Sequence, residues 1–246
     1  MPAALERIQG LWVGSRLSEM ARLSIQSFLK AGHQYHLYSY STLDNVPDGT
    51  VIKDANAIMP ETAVFKNAFY NTYAAFSDRF RYELLYSQGG WWADMDVIAL
   101  RPWDLTEQFV FASQREADGT ETPMGAVIKC PAGAPIMKSL CEQAGSFAPD
   151  EIRWGEIGPK LLETVIKRFS YWRFVTPPAM FCPIDYYNWF EAILPGKCLD
   201  LIDGPSLAIH LWSENWRRIG AESAEIYGPN CLYEILKLRV SNGMSG

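Results

Sequence analysis

Two apolar periods alternate along the chain. Residues 8–13 (IQGLWV), 35–40 (YHLYSY) and 51–53 (VIK) are short apolar or aromatic runs bounded by turn residues, and they predict strands. Residues 18–31 carry apolar positions three to four apart and stop at Gly32, which predicts a helix with a glycine end. The longest helical pattern covers 67–88, where Phe69, Phe76, Phe80 and Leu84 recur at helical steps until Gly89-Gly90 breaks it. Strands follow at 91–94, 97–100, 110–114 and 126–129. Helices are predicted at 134–145 and at 158–169, the second with Pro159 near its first position. A late strand at 207–211 and a helix at 227–240 complete the pattern. Such alternation predicts an α/β fold, a central mixed sheet flanked by helices.

Composition narrows the picture. The 246 residues are 48% hydrophobic and 20% charged, which suits one globular domain with a substantial core. The formal net charge of −6 argues against general nucleic-acid binding. Five cysteines at 130, 141, 182, 198 and 231 show no zinc spacing and read as free thiols in a reducing compartment. No basic segment with an apolar stretch opens the sequence, and no run approaches the ~18–20 apolar residues of a membrane span. The expectation is a cytoplasmic protein with no transmembrane segment, for which peripheral membrane contact stays open.

The chemistry concentrates in SQGGWWADMDV, residues 87–97. Asp94 and Asp96 are two apart, so on a strand both carboxylates point to one face. Side by side they repel unless a cation lies between them, and hard divalent ions take oxygen ligands from carboxylates and substrate phosphates. The end of a strand in an open α/β sheet is where ligands bind. A bare Asp-x-Asp is more often a solvated turn, but its neighbours shift that balance. Asp78 and Arg81 share a helix face at i, i+3, where the plainer reading is an ion pair of about 0.2–0.5 kcal/mol. His210 closes the strand-like run SLAIHLW and is followed by Ser213 and Trp216.

Residues 77–104 (SDRFRYELLYSQGGWWADMDVIALRPWD) resemble the DXD-motif sugar-transferase family, which includes fungal initiating mannosyltransferases and is related to the catalytic core of clostridial glucosylating cytotoxins. The shared pattern is Ser-Asp-x-x-Arg, then Leu-Tyr-x-x-Gly-Gly, then an apolar strand, then Asp-x-Asp. The resemblance extends more weakly from 8 to about 218. It implies a GT-A type nucleotide-diphospho-sugar transferase fold. By that resemblance Asp78 and Arg81 contact the donor's sugar and ribose and carry catalysis. Asp94 reaches ribose, sugar or metal, and Asp96 ligates Mn²⁺ or Mg²⁺ on the diphosphate. Leu11 and Trp12 close the first strand, with Trp12 stacking on uracil. His210 joins the metal, Ser213 and Trp216 finish the pyrophosphate site, and Gly158 and Pro159 of EIGPK lie on the acceptor side. Trp91-Trp92-Ala93 departs from the family's aliphatic-Tyr-Leu, a change expected to alter packing more than chemistry.

The implied reaction is metal-dependent transfer of a sugar from a nucleotide-diphospho-sugar, UDP first among them, to a hydroxyl of a carbohydrate or other acceptor, with retention. One domain over 1–246 is expected, with a donor-binding half at 1–130, an acceptor-side region at 131–195, and 196–246 completing the sheet and metal site. Two rival readings stand beside this one. DMDVI superficially fits an aspartyl-nucleophile phosphohydrolase, which needs its pair on an early strand and a late acidic pair. A non-catalytic nucleotide- or carbohydrate-binding module would bind without turnover.

Overall fold

The computed structural model describes residues 5–221 and 223–242. A six-stranded sheet runs in the order β3-β2-β1-β4-β7-β6. Strands β1 (Ile8–Trp12), β2 (Tyr35–Ser39), β3 (Val51–Asp54) and β4 (Gly90–Ala93) are mutually parallel. Strands β7 (Glu121–Cys130) and β6 (Val110–Arg115) extend the sheet antiparallel. A second, two-stranded sheet pairs β5 (Val97–Ala99) with β8 (Ala208–His210), placing Val97 opposite His210.

Helices cover the sheets. Helix α1 (Glu19–Lys30) starts at Ser18, whose side chain accepts the Ala21 backbone N–H, and ends before Gly32 at φ +90°. Helix α2 (Ala74–Gln88) packs on α3 (Pro135–Gly145), and α4 (Leu161–Arg168) adds to the same layer. Short helix α5 (Pro178–Phe181), then α6 (Ser213–Ile219) and α7 (Leu232–Asn242), follow in the C-terminal half.

Strand existence and order along the chain match the sequence pattern; the boundaries of three helices do not, and one of these, α7, starts at Leu232 and not at Tyr227. Residues 67–73 are a loop, not the first two turns of α2. Asn67 accepts the backbone N–H groups of Phe69 and Tyr70 through Oδ1 and donates Nδ2 to the Ile152 carbonyl, a side-chain competition that favours a turn. Phe69 therefore lies 49% exposed, not in the core with Phe76 and Phe80. Pro159 likewise does not open an α-helix. Glu156–Lys160 form a wide π-type turn kinked at Gly158 (φ −92°, ψ −115°), and α4 begins after it. Strand β7 begins five residues earlier than its apolar run, because Glu121 and Thr122 pair with Arg115 and Gln114 on the exposed end of the hairpin.

The break between α2 and β4 fixes where the acidic pair lands. Gly89 sits at φ +59°, ψ −165°, a conformation essentially reserved for glycine. Buried Gln9 of β1 clamps the break by donating Nε2 to the carbonyls of Gly89 and Trp91. A Cβ on Gly89 would lie 2.3 Å from the Ala132 backbone nitrogen, whereas one on Gly90 (φ +85°) comes no nearer to any atom than the Gln9 amide at 3.4 Å. Gly90→Ala is thus expected to cost about 1–2 kcal/mol, the left-handed penalty alone, and Gly89→Ala to cost more because backbone must move. Urea unfolding of both variants checks the order; equal losses would show that the Ala132 contact is not limiting.

Candidate active site at the end of strand β4

Asp94 and Asp96 do not lie along a strand. Strand β4 ends at Ala93, and the chain turns through Asp94-Met95-Asp96 before β5, closed by the Val97 N–H on the Asp94 carbonyl. The two carboxylates converge through this turn, not through strand alternation. The Asp94 N–H still reaches the Ala126 carbonyl of β7, so the turn is anchored to the large sheet. Beneath it, the Tyr35 hydroxyl donates to Met95 Sδ at 3.2 Å. Gly10 of β1 leaves room for this contact, since a Cβ there would meet the Tyr35 oxygen at 2.5 Å and Met95 Sδ at 2.9 Å.

Two polar groupings meet at the turn. In the first, Arg81 reaches Asp78 through Nη1 at 3.3 Å and Asp94 Oδ1 through Nη2 at 3.0 Å. The same Asp94 oxygen accepts the Trp92 indole N–H at 2.8 Å, and the guanidinium lies 5.2 Å from the centre of a Trp92 ring. Trp92 therefore contributes to the chemistry of the pair as well as to packing, which the sequence reading did not foresee. In the second grouping, Asp96 Oδ1 faces His210 Nε2 at 3.2 Å, and Oδ2 accepts the Ser213 backbone N–H at 2.8 Å. His210 arrives by pairing with Val97, and Ser213 by starting α6 just beyond Trp212, whose backbone takes a left-handed conformation.

One ligand atom from each of Asp94, Asp96 and His210 lies within 4.8 Å of the others. Two carboxylates and an imidazole at that spacing form a donor set that can hold a divalent cation. His210 turns Nε2 to Asp96, and the Cys182 thiol lies against the same buried ring. The residues fit the metal that the sequence implied.

Burial and charge set the protonation states. Burial raises the Asp78 pKa to about 6, opposed by Arg81 and aided by Asp94. Burial also raises Asp94, again against Arg81. For Asp96 burial pushes upward too, but the His210 charge and hydrogen bonds from His210 and Ser213 outweigh it and hold the carboxyl well below its usual range. His210 answers in kind: burial favours the neutral ring, yet Asp96 pushes its pKa up to about 10.

The other anticipated residues divide. Gly158 stands against Asp78, where a Cβ would meet Asp78 Oδ2 at 2.7 Å, and Tyr82 ties this turn to α2 by donating to the Ile157 carbonyl. Pro159 follows in the same turn. Trp12 ends β1 half-buried, with an indole N–H that has no partner, and Leu11 is buried beside it. Trp216 was expected on the donor, but its side chain is packed in the core. It is 2% exposed and its ring lies against Trp189, Tyr227 and Tyr233. Helical spacing within α6 explains the placement: Ser213 in the first turn donates its backbone N–H to Asp96, and Trp216 one turn on faces the helices behind.

A mixed sheet flanked by helices, with an acidic cluster at the end of a central strand, defines a GT-A type nucleotide-sugar transferase fold. Residues 18–112 match the family described as glycosyltransferase sugar-binding region containing DXD motif. No curated protein matches the sequence. Among solved structures, the chain is similar to the ligand-free glycosyltransferase domain from the YGT toxin, at 10% identity over 77% of this chain and 83% of that one, with a TM-score of 0.53. It is also similar to the apo-form glycosyltransferase GlyE of Streptococcus pneumoniae TIGR4, at 11% identity over 96% of this chain and 60% of that one, with a TM-score of 0.51. Likeness at these identities is one of fold. That fold agrees with the matched segment, residues 18–112, which resembles the DXD-motif sugar-binding region and contains Asp78, Arg81, Asp94 and Asp96.

A pH dependence follows from Asp78. Its pKa rises from 3.8 to about 6 on folding, so the native state holds this proton more tightly than the unfolded chain. Stability therefore falls as pH rises from about 4 to 6, by an amount on the order of 2–3 kcal/mol for a shift of this size. Asp78→Asn removes that fall. The stability difference between variant and parent should change between pH 4 and pH 7.5 in the variant's favour, measured by urea unfolding without metal. A difference that is flat across pH would show that burial does not hold the Asp78 proton.

Proposed function

We propose that this protein transfers a sugar from a nucleotide-diphospho-sugar, with UDP as the nucleotide, to a hydroxyl of a carbohydrate or other acceptor, using Mn²⁺ or Mg²⁺. The observation that carries the reading is the convergence of Asp94, Asp96 and His210 at the end of β4, beside the Asp78–Arg81 pair. The expected division of labour along the chain goes with it: a donor-binding half over 1–130, an acceptor-side region over 131–195, and a C-terminal part that completes the metal site, acting as one domain.

Asp94, Asp96 and His210 would hold the metal. When bound, it neutralises charge on the diphosphate as the bond to the anomeric carbon breaks. Arg81 holds a positive charge on the sugar side of that bond. Asp78, already turned toward the Gly158 turn, orients sugar hydroxyls and so the anomeric carbon. The Ser213 N–H fixes Asp96 at the start of α6. Trp12, with its unpartnered indole, provides a flat surface at the end of β1 for the base, and Leu11 packs behind it. Gly158 and Pro159 border the acceptor side.

Retention fits the same geometry. Asp78 and Asp94 are held by Arg81 and Asp96 by His210, so each of these carboxylates is engaged with a cation. None is left free as a nucleophile, which supports attack on the leaving-group face, with the leaving phosphate oxygen taking the acceptor proton. The phosphohydrolase alternative gains no support, because the third group at the cluster is His210 and not a late acidic pair.

The direct test is hydrolysis of a panel of UDP- and GDP-sugars with Mn²⁺ and no acceptor. Turnover with a UDP-sugar is expected, and Asp96→Asn should abolish it while leaving the fold intact, since the amide oxygen still accepts the Ser213 N–H. Near-parental turnover in Asp96→Asn would remove the metal role. Trp12→Ala should weaken UDP binding by roughly 1–3 kcal/mol, the range of base stacking on an aromatic side chain. Titration of UDP followed by calorimetry reads this directly, and unchanged affinity takes Trp12 out of the site.

A further inference from the structure

Gly125 lies in the interior of β7, two residues from Val127, which pairs with Ala93. Its φ is not positive, so backbone freedom is not why glycine stands there. A glycine inside a strand otherwise weakens it and often marks a close approach. Here the approach is Arg81: a Cβ on Gly125 would lie 1.9 Å from Arg81 Nη1, 3.1 Å from Cζ and 3.4 Å from Cδ. The guanidinium is boxed on its other sides by Trp92, Asp78 and Asp94. The Arg81 side chain is 7% exposed and its Nε is buried without a partner, so it has little room to move and keep both carboxylates.

We propose that Gly125 is a positioning residue for the site. The side chain it lacks is the space that sets where the Arg81 guanidinium lies. Through Arg81 it fixes Asp94 toward the metal cluster and Asp78 toward the Gly158 turn. A methyl group at 125 displaces the end of a flexible side chain, not backbone, so the variant folds with Arg81 moved and the two carboxylates released.

The activity arm of the test rests on the transferase reading; the stability arm does not. Four proteins are compared: the parent, Gly125→Ala, Arg81→Lys and the double variant. The lysine at 81 lacks the terminal nitrogen that occupies the space over Gly125. Thermal unfolding and Mn²⁺-dependent UDP-sugar hydrolysis are measured for each. In the Arg81 background, Gly125→Ala is expected to lower Tm and to cut kcat/KM at least tenfold, mainly through kcat. In the Arg81→Lys background both effects should vanish, to within about twofold in rate. Equal damage in the two backgrounds, or no damage in either, overturns the proposal. If Gly125→Ala fails to fold, folding of the double variant supports it and failure of the double variant overturns it. If the parent turns over no donor, the transferase reading fails and the Tm comparison alone decides the role of Gly125.

Discussion

The geometry of the site depends on one buried cation, the Arg81 guanidinium, held between Asp78 and Asp94. Removing carboxylates from water is costly unless charge and hydrogen bonds replace the lost solvation. Asp78 and Asp94 both feel that cost, as their raised pKa values show, and Arg81 is the group that opposes it for each. A planar fork can serve two carboxylates at once, which the point charge of a lysine does less well. Trp92 completes the arrangement by placing a ring near the guanidinium and giving its N–H to the same Asp94 oxygen. Asp94 also offers an oxygen to the cluster with Asp96 and His210.

The charges around the turn are not balanced. Asp78, Asp94 and Asp96 face Arg81 and a protonated His210, which leaves one negative charge in a largely buried space. A divalent cation placed among Asp94, Asp96 and His210 would replace the proton that His210 now shares with Asp96, and metal ligation by histidine requires that neutral ring. The buried His–Asp pair thus holds a proton where the same donor set could hold a divalent cation. This accounts for the two opposite shifts in one cluster: His210 pushed up and Asp96 pulled down by the same short contact.

Much of this was legible in the sequence, for identifiable reasons. The double glycine, the Asp78–Arg81 spacing and the Asp-x-Asp are local, and the chain between them is one helix, one glycine break and one short strand, so their relative placement follows from local geometry. His210 and Ser213 were within reach of the reading because they flank a recognisable late strand. What remained hidden is non-local or depends on side-chain competition. Nothing in a one-dimensional pattern places Gly125 against Arg81, although an isolated glycine inside MGAVIK was a signal of close approach. The Tyr35–Met95 contact depends on the parallel register of β1 with β2 and β4. The aromatic spacing of 67–73 mimicked helix, and the Asn67 side chain overrode it. Trp216 kept its motif position but not the expected placement, because three residues further along a helix is a different depth in the fold.

The topology makes the site a product of the whole chain. The segment matching the family, residues 18–112, contains Asp78, Arg81, Asp94 and Asp96, yet not Gly125, His210 or Ser213. His210 is brought to Asp96 only when β8 pairs with β5, and that small sheet is tied to the large one through the Asp94–Asp96 turn itself. β7 must likewise dock on β4 before Gly125 can confine Arg81 and before the Ala126 carbonyl can hold the Asp94 N–H. Contacts of such sequence separation each carry a loop-closure cost that local contacts do not. The acidic turn therefore lies where the two sheets meet. Its carboxylates are brought together with their cations only in the complete fold, and before that they remain in water, where their mutual repulsion is screened.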